Sequence, residues 1–354
     1  MSSLTRQVVP ACGKMLPMAA GFWVAGECID EGEQGEVRRP ADGELIAHYV
    51  IPDAANVERA VAAAAGASSA CRALPAASRA NALDYVAATL EERFDEVAEL
   101  ISAENGKPLF WANGEVTRAQ STFRWAAEEA RRFGGELQRL DTDPATPGRA
   151  AIIRRFPLGP VLGISPFNFP LNLVAHKVAP AIAVGAPVIV KPSPRTPLSA
   201  LLLGEILAET ALPAGALSVL PVGVEQTLAL VDDPRLPIVS FTGSDVVGFD
   251  IANRAPRKKV VLELGGDAAA VVCADYGTTE DLAWVAQRVA TFAMYQAGQS
   301  CISVQRLLIA QEIAEELIPL VVEQVKGLGG GSSGNPAELV GPVIDEASAQ
   351  RIVD

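Results

Sequence analysis

Between residues 160 and 266 short apolar runs recur, each ended by a Gly-, Pro- or Ser-bearing turn: "GPVLGISP", "PVIVKPS", "LSVLPVG", "LPIVSFTGS" and "KKVVLELGG". Runs this short and this continuously apolar read as buried strands. Helical spacing follows the first two, in "LVAHKVAPAIAVG" and "LSALLLGEILAETAL". A β-α-β-α order predicts an open parallel sheet with helices on both faces. Such sheets bind ligands beyond the carboxyl ends of their strands. Four polar turns fall there: "SPFNFP" (165–170), "KPSPRTP" (191–197), "FTGS" (241–244) and "ELGG" (263–266). The glycine fingerprint G-x-G-x-x-G is missing after the first strand, so no ordinary Rossmann dinucleotide site follows from the sequence.

Upstream, Asp53 caps an Ala-rich helical stretch that ends near "ACRAL", and "SRANALDYVAATLEERFDEVAELISAEN" repeats the pattern. "GEVTRAQSTFRWAAEEARRFGGE" has apolar residues three and four apart and ends at a Gly pair. "DTDPATPGRAAIIRRFPLGP" reads as an extended arm, "FWVAGECID" as an opening strand and turn, and "GLGGGSSGNP" (327–336) as a flexible loop.

Composition narrows the function. Of 354 residues 49% are hydrophobic and 20% charged, enough for a large core, divided between two domains. A formal charge of −13 argues against nucleic acid or an anionic membrane as partner. The low aromatic content, 5%, fits an enzyme better than a binding module built on aromatic platforms. Five cysteines (12, 28, 71, 273 and 301) are scattered with no C-x-x-C, and the two histidines, His48 and His176, lack a partner at ligand spacing. No metal site and no disulfide framework is expected, and a cytoplasmic location fits best. "MLPMAAGFWVAG" has the length of a signal-peptide core but is broken by Pro17 and Gly21, and no apolar run is long enough to span a bilayer.

One cysteine stands apart. Cys301 ends the small polar turn "GQSC" and precedes a β-branched run. A lone cysteine is ordinarily a small buried hydrophobe. A reactive thiolate needs a close backbone, a nearby N–H and access, and Gly298, Gln299 and Ser300 supply the setting for them. Taken singly, Asn168 reads equally as a helix cap, Lys191 as a solvated cation and Glu263 as the partner of an arginine.

The ordered set "ENGKPL" (104–109), "SPFNFP", "KPSPRTP", "FTGS", "ELGG" and "GQSC" resembles the aldehyde dehydrogenase superfamily over almost the whole chain. The resemblance implies an α/β fold with an open parallel, Rossmann-like cofactor domain (1–138 and 158–266). It also implies an extended oligomerisation arm (139–157) and the first part of a catalytic α/β domain (267–354). It implies oxidation of a small-molecule aldehyde to an acid with NAD(P), in a homo-dimer or homo-tetramer. By motif, Cys301 matches the nucleophile, Asn168 the amide that stabilises the oxyanion with the Cys301 N–H, and Glu263 the base for the thiol or the hydrolytic water. Lys191 matches the lysine at the adenosine ribose. Gly243 and Ser244 lie where the pyrophosphate packs near a helix start, Ser165 and Pro166 line the same crevice, and Leu264 and Gly265 run along the nicotinamide.

Two departures carry information. The glutamate that often follows the lysine by three residues is replaced by Pro194, flanked by Ser193 and Arg195. With no carboxylate to repel a 2′-phosphate, NADP is expected to be tolerated or preferred, with Arg195 as an added contact. "LELGGDAAAVV" carries Asp267 and Ala268 where Lys and Asn are common. The family's later "E-x-F-G-P" glutamate does not occur in these 354 residues. This chain alone is therefore expected to be inactive, and poorly soluble or partly disordered after about residue 267. Arg118, in "GEVTR", sits where some relatives hold an anionic substrate tail, but a surface arginine paired with Glu115 or Glu128 is the favoured reading. Small aldehydes or semialdehydes are the expected substrates. Two other functions stay open: an acyl-phosphate or acyl-CoA reductase of the same fold, which Glu263 disfavours, and an inactive structural protein.

Overall fold

The computed structural model describes residues 6–8, 15–17, 19–330 and 339–354. Cys12 and residues 331–336 of the glycine-serine loop lie outside the described residues. The centre is a seven-stranded sheet. Its parallel strands, in spatial order, are Lys259–Leu264, Ile238–Gly243, Val161–Ile164, Val188–Lys191 and Leu217–Val219. The hairpin Phe22–Val24 and Glu27–Ile29 adds two antiparallel strands beyond Leu217–Val219.

All five expected sheet strands are present, and burial explains their composition. Every residue of Val161–Ile164 is buried, and so are the first three of Val188–Lys191. Lys259–Leu264 forms one edge and alternates exposed with partly covered residues, as a strand covered on one face only does. The chain runs outward from Val161–Ile164 to one side, then returns to lay Ile238–Gly243 on the other. That reversal is a topological switch point, where the strand ends open a crevice.

Helices Asn172–Val184 and Leu198–Ala208 cover the sheet as the crossovers require. The long helical pattern before Asn105 divides at Arg93 into Ala76–Glu92 and Phe94–Asn105, because Arg93 leaves helical geometry there and starts the second helix. Helices Val224–Asp232 and Asp245–Arg254 fill connections that the sequence leaves unassigned. The expected arm is a two-stranded hairpin, Glu136–Arg139 with Ala150–Ile153. After the central sheet, the parallel pair Ala268–Val272 and Val304–Ile309 packs with helices Thr279–Ala293 and Gln311–Gly327 around a separate small core that includes Leu282, Ala286 and Leu317. No described helix is long and apolar enough to cross a membrane.

Candidate active site

Three turns meet at one place. Helix Thr279–Ala293 gives way to a tight turn in which Gln296, Ala297 and Gly298 take φ values of 56°, 55° and 75°. Two non-glycine residues in the left-handed region in succession are rare, and such strain concentrates where surrounding contacts over-determine the backbone. The turn delivers Cys301 to an exposed position. The "SPFNFP" turn approaches from one side, and the Asn168 Nδ2 donates to the Gln299 carbonyl at 2.6 Å. The "ELGG" turn approaches from another: a Cβ on Gly266 would lie 2.8 Å from the Cys301 carbonyl oxygen, so only glycine lets the two backbones come this close.

The Gln299 carbonyl also decides how the Asn168 amide is turned, because a carbonyl accepts and only the NH2 end can face it. One Asn168 N–H is engaged there, leaving the second for another acceptor. The Asn168 Oδ1 is buried and has no hydrogen-bond partner among the described residues.

Glu263 is exposed and lies in register with Thr242 of the neighbouring strand. Beneath this pair the buried Lys177 donates to Thr242 Oγ1 at 2.8 Å and to Ser240 Oγ at 3.3 Å. Burial brings the Lys177 ammonium down to about 8, and the Glu263 carboxylate opposes that fall. His176, next along the helix, is held below its ordinary value by burial, then by the charges of Lys177 and Arg118, with Glu263 opposing. Lys177 was not among the residues singled out in the sequence. A lysine inside an apolar helical run is the signal that could have found it, since its amine must find partners when buried.

Arg118 departs from its expected surface pairing. Glu115 is turned inward onto Lys107, Glu128 pairs with Arg131, and the Arg118 charge is felt at Tyr295 in the nucleophile turn, where it opposes the upward push of burial on the phenol. It is exposed and enters none of the ion pairs of the described residues. A cation therefore stands next to the turn that carries Cys301.

The "SPFNFP" turn is braced from below. Lys107, fully buried, donates to the Asn168 carbonyl at 2.7 Å, pairs with Glu115 Oε2, and places its ammonium 4.3 Å from the Phe169 ring centre. The second Glu115 oxygen accepts from the Leu171 and Asn172 backbone N–H groups at 2.9 and 3.0 Å. Those donors begin helix Asn172–Val184, and a carboxylate is well placed at a helix start. Glu104 does the same for helix Leu198–Ala208, accepting from the Leu198 N–H, the Ser199 N–H and the Ser199 hydroxyl. Burial raises Glu104 to about 7 against the pull of those donors.

At the switch point the remaining candidates line the strand ends. Ser165 follows Val161–Ile164, is buried, and its hydroxyl has no partner among the described residues; Pro166 beside it is half-buried. Lys191 ends Val188–Lys191, and burial lowers its ammonium to about 8. Ser193 Oγ accepts from the Arg195 N–H, which shapes the turn after the strand. Gly243 ends its strand, and Ser244 caps helix Asp245–Arg254. Leu264 packs on the core edge, and Gly265 is exposed with nothing close to where a Cβ would stand. Arg195 is placed differently from the expectation of a free guanidinium. It pairs with Asp345 at 2.6 Å, and Asp345 caps helix Glu346–Val353. A phosphate at Arg195 would compete with that carboxylate.

The orphaned Ser165 hydroxyl, the desolvated Lys191 amine and a serine-capped helix start follow the carboxyl ends of three neighbouring parallel strands, chemistry that suits a ligand with hydroxyl and phosphate groups. Among the described residues no cluster of His, Cys, Asp or Glu is arranged to hold a metal ion.

Comparison with known proteins accords with this geometry. The aldehyde dehydrogenase family profile matches residues 28–354. Aspartate-semialdehyde dehydrogenase 1 of Pseudomonas canavaninivorans is 38% identical over 315 residues, 89% of this chain and 66% of that one. The structure of aldehyde dehydrogenase 21 from Physcomitrella patens in complex with the reaction product succinate superposes with a TM-score of 0.91 and 42% identity. The match covers 95% of this chain and 69% of that one. NADP-dependent glyceraldehyde-3-phosphate dehydrogenase from Bacillus halodurans, complexed with NADP, superposes with a TM-score of 0.88 and 33% identity over 95% and 70% of the two chains. Across the curated relatives the chain spans 61% to 69% of their length. Relatives include both NAD- and NADP-dependent enzymes. The fold, the motif order and these matches agree, and the chain belongs to the aldehyde dehydrogenase family.

Proposed function

We propose that this protein oxidises an aldehyde to a carboxylic acid with NAD(P), through a covalent adduct on Cys301. The observation that carries the reading is the meeting of the Cys301, Asn168 and Glu263 turns, through the Asn168–Gln299 hydrogen bond and the Gly266–Cys301 backbone contact. An aldehyde carbon holds its hydrogen until a nucleophile makes it tetrahedral. The Cys301 thiolate adds to the carbonyl, and the new oxyanion is stabilised by the second Asn168 N–H together with the Cys301 N–H. When bound at the switch-point crevice, the nicotinamide cofactor supplies the hydride acceptor that converts this adduct to a thioester. Glu263, exposed beside the "ELGG" turn, takes the proton of the water that cleaves the thioester and frees the acid. Lys191, Ser193 and Ser165 would hold the adenosine side, with Gly243 and Ser244 at the pyrophosphate and Pro166, Leu264 and Gly265 along the nicotinamide.

We infer further that the substrate carries an anionic tail. Arg118 is exposed, unpaired by carboxylate among the described residues, and close enough to the nucleophile turn for its charge to act on Tyr295. The relatives named for aspartate semialdehyde and found with succinate handle carboxylate-bearing molecules, which supports the same class here. A direct test compares NAD(P)H formation from succinic semialdehyde and from butanal. The reading expects kcat/KM for the semialdehyde to fall about tenfold or more in Arg118→Ala, since a hydrogen bond to a charged group contributes roughly 1.5–3 kcal/mol. Butanal should be little affected. Equal losses for both substrates would refute the tail contact.

Glu263→Gln separates the two halves of the reaction. The first turnover should still release NAD(P)H as a burst, while steady turnover drops by about 10²-fold or more. Unchanged steady turnover would remove Glu263 from the deacylation step.

For the cofactor, exposed Pro194 presents no carboxylate to a 2′-phosphate, so NADP should bind at least as tightly as NAD. The preference should depend on pH. Lys191 titrates near 8, so its charge is present below that value and is lost as pH rises through it. A 2′-phosphate gains from that charge and a hydroxyl gains less, so the NADP:NAD affinity ratio should fall between pH 7 and pH 9. Fluorescence titration of both cofactors at the two pH values checks this; a constant ratio would exclude Lys191 from the phosphate.

A further inference from the structure

The "ENGK" segment has no role in the chemistry above, yet three of its side chains are among the most buried polar groups in the molecule: Glu104, Asn105 and Lys107 are 0%, 1% and 1% exposed. Asn105 is the one that touches both the nucleophile turn and the oxyanion turn. Its Nδ2 donates to the Phe167 carbonyl at 2.8 Å, one residue before Asn168. Its Oδ1 accepts from the Nε2 of Gln296, itself 3% exposed and five residues before Cys301.

The polarity of this bridge is forced. A carbonyl only accepts, so Phe167 fixes the NH2 end of Asn105, and that leaves the Asn105 oxygen toward Gln296. Gln296 must then present its own NH2 group, and its Oε1 is left buried without a partner among the described residues. Gln296 is also the first of the left-handed residues in the nucleophile turn. A residue in a strained conformation, with half its amide unsatisfied, stays there only if something holds it. Gln299 holds the Gln296 backbone carbonyl, through its N–H at 3.0 Å and its Nε2 at 3.1 Å, and the Asn105 amide holds the Gln296 side chain.

We infer that Asn105 is a positioning residue that sets the spacing between the nucleophile turn and the oxyanion turn, acting through Gln296 and the Phe167 carbonyl. The inference rests on the proposed roles of Cys301 and Asn168. A shift of one turn against the other separates the sulfur from the amide that receives the oxyanion, and covalent chemistry is sensitive to displacements of that size.

The test reads adduct formation without cofactor. Iodoacetamide labelling is followed site by site with peptide mass spectrometry, with and without succinic semialdehyde, whose reversible adduct protects Cys301. Asn105→Leu and Gln296→Met keep volume and delete the bridge. In each, the semialdehyde concentration that halves Cys301 labelling should rise at least fivefold, while the aldehyde-free rate stays within threefold of wild type. The double variant should be no more than twofold beyond the worse single, because one bridge is lost only once. Exposed Cys28 and Cys273 serve as rate controls, and buried Cys71 should stay unlabelled if the fold is intact. Where Cys71 opens, Asn105→Ser, which shortens the side chain without adding bulk, carries the same comparison. Half-protection within twofold of wild type in folded variants would overturn the inference, as would an equal fall in the aldehyde-free rate, which marks a merely structural role. A wild-type Cys301 that the semialdehyde does not protect would instead bring down the proposed chemistry, and the positioning role with it.

Discussion

Cys301→Ala is expected to lower aldehyde-dependent NAD(P)H formation by about 10³-fold or more, with cofactor binding unchanged within about twofold. Alanine keeps the turn and its backbone N–H but removes the sulfur, so no adduct forms and the aldehyde hydrogen cannot leave as hydride. Cys71 and Cys28 do not substitute for it. Cys71 is buried in a small apolar cluster, and its thiol is pushed above the ordinary range by burial. Cys28 is exposed, but burial and the nearby Asp30 and Glu205 carboxylates also raise its thiol. Steady-state turnover and a cofactor titration, run side by side on folded protein, decide the matter. Turnover within a few-fold of wild type would remove Cys301 from the chemistry.

Lys107→Met should give the largest loss of stability. The Lys107–Glu115 pair has no exposed side-chain surface, and Lys107 also satisfies the Asn168 carbonyl. Burial pulls the Lys107 ammonium below its ordinary value, while Glu115 works to keep it charged. Methionine matches the length of the stem, but it strands a buried carboxylate and a backbone carbonyl. Breaking a buried pair on one side costs about 3–5 kcal/mol. Adding Glu115→Gln should recover part of that, since a neutral amide oxygen still accepts from the Leu171 and Asn172 N–H groups. Urea unfolding of wild type, Lys107→Met and the double variant measures both numbers. A single variant as stable as wild type, or a double variant less stable than the single, would refute this account of the pair.

Much of the architecture was legible before any coordinates. The five sheet strands are short apolar runs closed by turn residues, and Val161–Ile164, Val188–Lys191 and Leu217–Val219 are marked further by burial on both faces. The polar turns that carry Asn168, Lys191, Gly243 and Glu263 follow from the same pattern, because a parallel sheet places successive turns at alternate ends. Helices Val224–Asp232 and Asp245–Arg254 went unassigned. The first is short and the second carries a glycine.

The polar interior was not legible, and for a physical reason. Arg118 has Glu115 one helical turn away, so local spacing favours that pair. The fold instead buries Glu115 against Lys107 and two helix-starting N–H groups, because a buried carboxylate is stable only where several donors converge. Arg195 likewise read as a free cation, until a helix cap from residue 345 closed on it. Asn105 and Gln296 are 191 residues apart and join in one hydrogen bond. By itself the sequence determined the strands and their parallel β-α-β-α class, the turns and the residue types capable of the chemistry. Which polar side chains face water and which brace the site was decided only by tertiary structure, since burial of a charge depends on partners far away along the chain.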